Sequence, residues 1–200
     1  MASRVDTCTE LPPDKCKTLA LCPSCTILTK LTVECQKHAF WCWASVTAAI
    51  YCFHNPGSTA LTQCQVASKQ MGAGDCCAKP CGEDCNRRWY LERALCKVNC
   101  LDQGPVPVPP TFSFSDLKAL FQSAASVPPR PVCARLGWKG FGGHFVVIKG
   151  FQEASKSLLI ADPFEGEHLV PFQEFKDCYS SFGHWTDYYL TDKVNHGNCI

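Results

Sequence analysis

The apolar positions of the first thirty residues follow no period. Cys, Pro, Thr and Lys alternate irregularly, which predicts an irregular, cysteine-rich N-terminal segment over residues 1–30. Helical spacing starts at Phe40 and runs to about Phe53, with Ala44, Ala48 and Ala49 adding propensity, until Pro56 and Gly57 stop it. A second helix is predicted from Thr59 to Gly72. The stretch DCCAKPCGEDC is too dense in cysteine for a regular element. Beyond it, Trp89, Leu91, Leu95 and Val98 repeat at helical spacing across Arg87 to Val98. The prolines of QGPVPVPP, 103–110, exclude helix and sheet interior and predict an extended linker. SFSDLKALFQSA then reads as one amphipathic helix capped by Ser113 or Ser115.

After PPRP the period shortens to that of strands. VCARLGW, HFVVIKGF, SLLIAD, EHLVPF and TDYYL are short, rich in β-branched or aromatic residues, and separated by turn residues. Helices first and strands after predict an α+β chain in two lobes, with a cleft where they meet. The expected division is an N-terminal segment 1–30 and a domain 31–200. Within that domain we expect a helical lobe over about 31–102, the linker 103–111, and a helix plus antiparallel β lobe over 112–200.

Two hundred residues with a net charge of +1 suit one domain and give no electrostatic reason to expect nucleic acid or an anionic membrane as partner. No run approaches the ~18 apolar residues of a spanning helix. The seventeen cysteines are the departure from the ordinary. Such a content signals a disulfide scaffold and an oxidising compartment, while the start of the chain has no apolar core of a signal peptide, so the compartment stays open. The odd count fits sixteen paired cysteines and one reactive thiol. Cys76, Cys77, Cys81, Cys85, Cys96 and Cys100 are the expected pairing set, with connectivity open.

That thiol is expected at WCWAS, where Cys42 stands between two tryptophans at the predicted start of a helix. A free thiol is mostly protonated at neutral pH, and a helix N-terminus or an imidazolium favours the thiolate. Of six histidines, His144 is the one placed at the mouth of an apolar strand, in GGHFVVIKGF. A three-residue loop, Gln152 to Ala154, would pair Phe151 with Ser155 and put His144 opposite Asp162. That carboxylate would accept an Nδ1–H bond; a four-residue loop shifts the pairing by one. Gln36, six residues before Cys42, offers an amide donor for an oxyanion, beside the N–H of Cys42. Each residue alone has an ordinary explanation: a buried cysteine, a strand-edge histidine, a turn-starting Asp before Pro163, a loop glutamine. The combination points to nucleophilic cysteine chemistry. The rival is a zinc site of Cys22, Cys25, Cys35 and His38, spaced more tightly than the usual finger.

Gln36, the aromatic-flanked Cys42, GGHFVVIKGF and LLIADPF resemble the papain-like cysteine peptidases, in particular their compact bacterial branch. The likeness runs from about Cys35 to Thr191 and leaves out residues 1–30, a candidate pro-segment. The resemblance implies a two-lobed papain-like fold and a catalytic set of Cys42 as nucleophile, His144 as base and acid, Asp162 as orienting residue and Gln36 as oxyanion donor. Papain itself has asparagine where this chain has Asp162. Phe164 would shield the His144–Asp162 bond and Trp43 would pack beneath the thiol. The implied partner is a peptide or protein substrate, cut by a monomer without cofactor. The same acyl-enzyme would also serve a transpeptidase, an acyltransferase or a cell-wall amidase. From a different class, a cysteine-rich binding module would keep the fold without turnover.

Overall fold

A computed structural model describes residues 24–72, 75–78, 84–121, 129–138, 142–181 and 183–193. The elements, in chain order, are β1 (Cys25–Ile27), α1 (Cys42–His54), α2 (Gln63–Met71), α3 (Leu91–Lys97), β2 (Leu101–Pro107), α4 (Phe114–Phe121), β3 (Val132–Trp138), β4 (Gly143–Gln152), β5 (Ser157–Asp162), β6 (Gly166–Pro171), α5 (Phe172–Cys178) and β7 (Gly183–Thr191). The strands form one antiparallel sheet in the order β2-β7-β3-β4-β5-β6, with β1 on β4. This is the expected α+β class. No described helix is long and apolar enough to cross a membrane.

α1 is buried along its whole first half, Cys42 to Ile50. A helix apolar on every side belongs inside, provided its few polar groups find partners. Thr47 Oγ1 donates to the carbonyl of Trp43 at 2.7 Å and Ser45 Oγ to that of Glu34 at 2.5 Å. α2 and α3 pack around α1, and this helical layer meets the sheet where α1 crosses β4 and α3 crosses β2. α2 opens with a capping box: Thr62 accepts from the Gln65 N–H, and the Gln65 side chain accepts from the Thr62 N–H. Gly72 closes it in the left-handed conformation (φ 62°), where a Cβ would be strained. Ser113 caps α4 through a reciprocal exchange with Asp116.

Three elements depart from the expectations. The segment read as a linker carries β2, an edge strand paired with β7, which is the one place in a sheet that tolerates its prolines. EHLVPF ends as a strand at Pro171, and α5 follows immediately; its seven residues are too few to show a helical period. β1 comes from the segment taken as irregular. It pairs Cys25–Ile27 with Gln152–Gly150, on the edge of β4 that β3 leaves beyond Ile148.

The cysteines pair less completely than the parity argument expected. Cys64 bonds Cys77 and Cys76 bonds Cys85, while Cys25, Cys35 and Cys96 are also disulfide-bonded. Cys42, Cys52, Cys100, Cys133 and Cys178 carry free thiols. Cys100, expected in the pairing set, is thus unpaired; Cys81 lies outside the described residues.

Candidate active site

Cys42 is the first residue of α1, and no side chain caps that helix. The N–H groups of its first turn are therefore left for whatever lies in front of them. The flanking tryptophans are buried, and each ties the helix start to the loop before α3. Trp41 Nε1 donates to the Cys85 carbonyl at 2.9 Å and Trp43 Nε1 to the Arg87 carbonyl at 3.0 Å. Two large aromatics around a thiol thus make a rigid mount, as Trp43 was expected to do.

The approach to Cys42 is fixed as firmly. Gln63 of α2 accepts from the Lys37 N–H at 3.0 Å and donates to the Cys35 carbonyl at 2.7 Å. The Gln36 N–H reaches across to the carbonyl of Pro163, at 2.8 Å, next to Asp162. One backbone hydrogen bond therefore joins the chain before Cys42 to the loop that carries the acid.

His144 stands near the start of β4, opposite Leu136 of β3. Its Nε2 lies 2.7 Å from Asp162 Oδ1, and the ring interacts with the Cys42 side chain, with which it lines the same cavity. With Nε2 facing the carboxylate, Nδ1 is the nitrogen left for the sulfur. The expected Nδ1–Asp162 bond is thereby corrected to Nε2. The register is corrected too. The β4–β5 loop has four residues, with Gln152 opposite Ser157, and the pairing shifts by one between Ile148 and Gly150. His144 does not face Asp162 directly. The shift does restore parity: Val147 pairs with Ala161, so His144 and Asp162 fall on the same face as diagonal neighbours, within reach of their side chains.

Asp162 is 2% exposed and fully occupied. Oδ1 also accepts from the N–H groups of Phe164 (2.6 Å) and Glu165 (3.3 Å), and Oδ2 accepts from the hydroxyl of Tyr179 at 2.7 Å. Tyr179, at the end of α5, belongs to the site although its sequence context gave no sign of it. The electrostatics follow from these contacts. Burial alone would raise the Asp162 carboxyl and lower the His144 imidazole. The attraction between the two, with the Phe164 and Tyr179 donors on the acid and Cys42 on the ring, outweighs burial, so Asp162 is held below and His144 above its ordinary value.

Trp138 stacks on His144, with centroids 6.1 Å apart and planes 19° off parallel. Trp138 thus adds an aromatic face to the ring that the sequence did not point to; Phe164, from which shielding of the His144–Asp162 bond was expected, is 42% exposed and Trp138 40%. Gln36 is buried, and its Nε2 donates to the carbonyls of His38 (3.0 Å) and Ala39 (2.9 Å). Both amide hydrogens are engaged there, while Oε1 has no partner.

The free thiol and the imidazole open on a cavity of about 530 Å³. Ala39, Phe40, Trp43 and the stretch Arg88–Tyr90 form the helical wall, and Pro105, Arg135, Trp138, Gly142–Phe145, Asp187 and Tyr189 the sheet wall. Cys133 and Cys100 are buried away from it. Burial pushes the Cys100 thiol up to about 11 and that of Cys133 higher still. The zinc alternative lacks its ligands: Cys25 and Cys35 are in disulfides, whose sulfurs are not thiolates, and Cys22 lies outside the described residues. Among the described residues no group of His, Cys, Asp and Glu is arranged to hold a metal.

A row of sulfur, imidazole and carboxylate beside a cavity can pass a proton from thiol to ring and back while the sulfur attacks. Two comparisons bear on this. The sequence model of a protein family described as papain-like cysteine protease AvrRpt2 matches residues 25–180. Compared against curated proteins, the chain has no match.

Proposed function

We propose, for a chain that belongs to this family of papain-like cysteine proteases, that Cys42, His144 and Asp162 carry peptide-bond hydrolysis. The observation that supports the assignment is the position of His144, hydrogen-bonded to a buried carboxylate and sharing the cavity lining with Cys42, which among the described residues is the free thiol found there. Cys42 Sγ attacks the carbonyl carbon of the substrate and its proton passes to His144 Nδ1. The tetrahedral oxyanion meets the N–H of Cys42 at the uncapped start of α1, with Gln36 as second donor if one of its amide hydrogens leaves its carbonyl. When the C–N bond breaks, His144 returns the proton to the leaving amine. A water then gives a proton to the same nitrogen and attacks the thioester, which frees the carboxylic acid and the thiol. Asp162 keeps Nε2–H bonded throughout, so the ring presents Nδ1 to both steps. No step requires a metal or a cofactor. The substrate is a protein or peptide, as the family implies.

The test is brief treatment of the full chain with iodoacetamide at pH 5 to 6, without reductant, followed by peptide mapping. Ordinary thiols are protonated there and react slowly. Rapid modification at Cys42, abolished in His144→Ala while Cys52 and Cys178 stay unmodified, is the expected result. A Cys42 that reacts no faster than the exposed Cys52 would remove the assignment.

A further inference from the structure

The side chains packed around Asp162 extend past the three residues used above. Val147 pairs with Ala161 and Ile160 with His168, so His144, Asp162 and His168 share one face of three neighbouring strands, β4, β5 and β6. Tyr179, 4% exposed, lies over that face from the end of α5. Its hydroxyl is 2.7 Å from Asp162 Oδ2 and 3.1 Å from His168 Nε2. We propose that Tyr179, held in place by His168, is a positioning residue for the reaction: it fixes the second carboxylate oxygen of Asp162 so that the first stays on His144. This rests on the catalytic reading of Cys42, His144 and Asp162.

The hydrogens can be counted. A phenol has one to donate, and the only use for it that serves a buried carboxylate is Oδ2. The phenol oxygen is then an acceptor, and His168 Nε2 is the group facing it. His168 Nδ1 lies 3.1 Å from the Gly166 carbonyl, which only accepts, so Nδ1 carries a hydrogen. With Nδ1 on that carbonyl, Nε2 is the ring atom left to hold the phenol oxygen, and the Glu165 carboxylate lies 3.8 Å from it. Burial and the Asp162 charge both raise the Tyr179 phenol, so it stays a donor and never a second anion beside the acid.

The direction of the effect follows from the acid. Tyr179 is one of the donors that hold the Asp162 carboxyl low. Without it, Asp162 takes up a proton at higher pH, and His144 loses its counter-charge there.

The experiment is the rate of Cys42 alkylation by iodoacetamide against pH, from 3.5 to 8, on the full chain and its variants, with melting temperature as control. In Tyr179→Phe the acid limb is expected to move up by about one to two pH units, since a hydrogen bond to a charged group is worth roughly that much. The rate near pH 4 then falls several-fold while the rate at pH 7 stays within about twofold. His168→Leu moves the limb the same way. His168→Gln, whose amide can donate to the phenol, leaves it near the wild type. A Tyr179→Phe profile that superimposes on the wild type, with only the melting temperature lowered, would mean a purely structural tyrosine and overturn the proposal. If Tyr179→Phe does not fold, His168→Leu decides in the same terms. A wild-type Cys42 that is not rapidly alkylated at all counts against the catalytic assignment itself, a result separate from any difference between variants.

Discussion

Asp162 serves a backbone turn and an imidazole with one carboxylate. The bonds from Phe164 and Glu165 N–H are the turn-starting behaviour of an Asp before proline, and the bond from His144 is the one the proposed mechanism uses, so the two readings of this residue do not compete. The negative charge separates two substitutions. Asp162→Asn keeps an acceptor for Nε2–H but removes the charge that raises His144. A raised imidazole keeps its proton until the pH climbs through that raised value, so the alkaline loss of the ion pair should move to lower pH in Asp162→Asn. Asp162→Ala removes the acceptor as well and should cost on the order of 10²–10⁴ in turnover, the range of general acid–base catalysis. Cys42 alkylation profiles above pH 7 read the first; hydrolysis of an unstructured protein substrate reads the second. An alkaline limb unmoved in Asp162→Asn would mean that the charge does not control the ring. Gln36 needs a different comparison, because its amide hydrogens are already bound. Alkylation makes no oxyanion, whereas peptide hydrolysis does. An oxyanion donor predicts that Gln36→Ala lowers hydrolysis by about 10²–10³ with alkylation little changed. If Gln36 only ties the loop before Cys42, both rates fall together.

At the scale of elements, periodicity revealed what is long and regular. The helix behind Cys42, the capped helices at Thr62 and Ser113, and the apolar strands were legible because each carries several turns or alternations of its pattern. The near approach of His144 to Asp162 was legible too, but not its geometry. Face depends on a one-residue shift inside β4, between Ile148 and Gly150, and the lone glycine of KGFQ is the only local sign of it. α5 was missed because Phe172, Phe175 and Tyr179 mark one helical face over barely two turns, and with α5 went Tyr179. β1 was missed because three residues carry no period. Gly150 links these points. A Cβ there would stand 2.3 Å from the backbone oxygen of Thr26, so only glycine lets β1 pair beside the shift. Gly150→Ala should displace β1 and cost about 1–3 kcal/mol, the usual penalty of forced overpacking. Amide exchange at Thr26 and Leu28, whose N–H donates to Lys149, should then rise well above that of β5. Unchanged protection with unchanged stability would show that β1 is not seated on β4 as described.

Over the whole molecule, the proposed catalytic face draws on the helical layer and the sheet, and two bridges brace its helical side. The adjacent cysteines 76 and 77 pull in opposite directions, Cys77 to Cys64 on α2 and Cys76 to Cys85. The carbonyl of Cys85 then receives the Trp41 indole, and that of Arg87 the Trp43 indole, on either side of Cys42. The helical wall of the cavity is thus stapled to the helix that presents the thiol. A cysteine peptidase needs its own thiol reduced, so the two bridges must survive conditions that keep Cys42 free. Burial separates them. Cys76 and Cys85 are buried, whereas Cys77 is exposed and Cys64 half-buried. Exchange requires an attacking thiolate to reach a bridge sulfur, so access orders the reduction. A graded series of reductant, quenched by alkylation and read by mass, should open Cys64–Cys77 well before Cys76–Cys85, with rapid Cys42 alkylation retained after the first bridge opens. Losing the second closes no loop in the unfolded chain and should lower stability by roughly 3 kcal/mol, about 6–12 °C in melting temperature for a chain of this size. Cys42 reactivity should fall with it, because the Cys85 carbonyl no longer has a fixed place from which to hold Trp41. Simultaneous opening of both bridges, or Cys42 reactivity lost with the first, would mean that the exposed bridge rather than the buried one secures the thiol's helix.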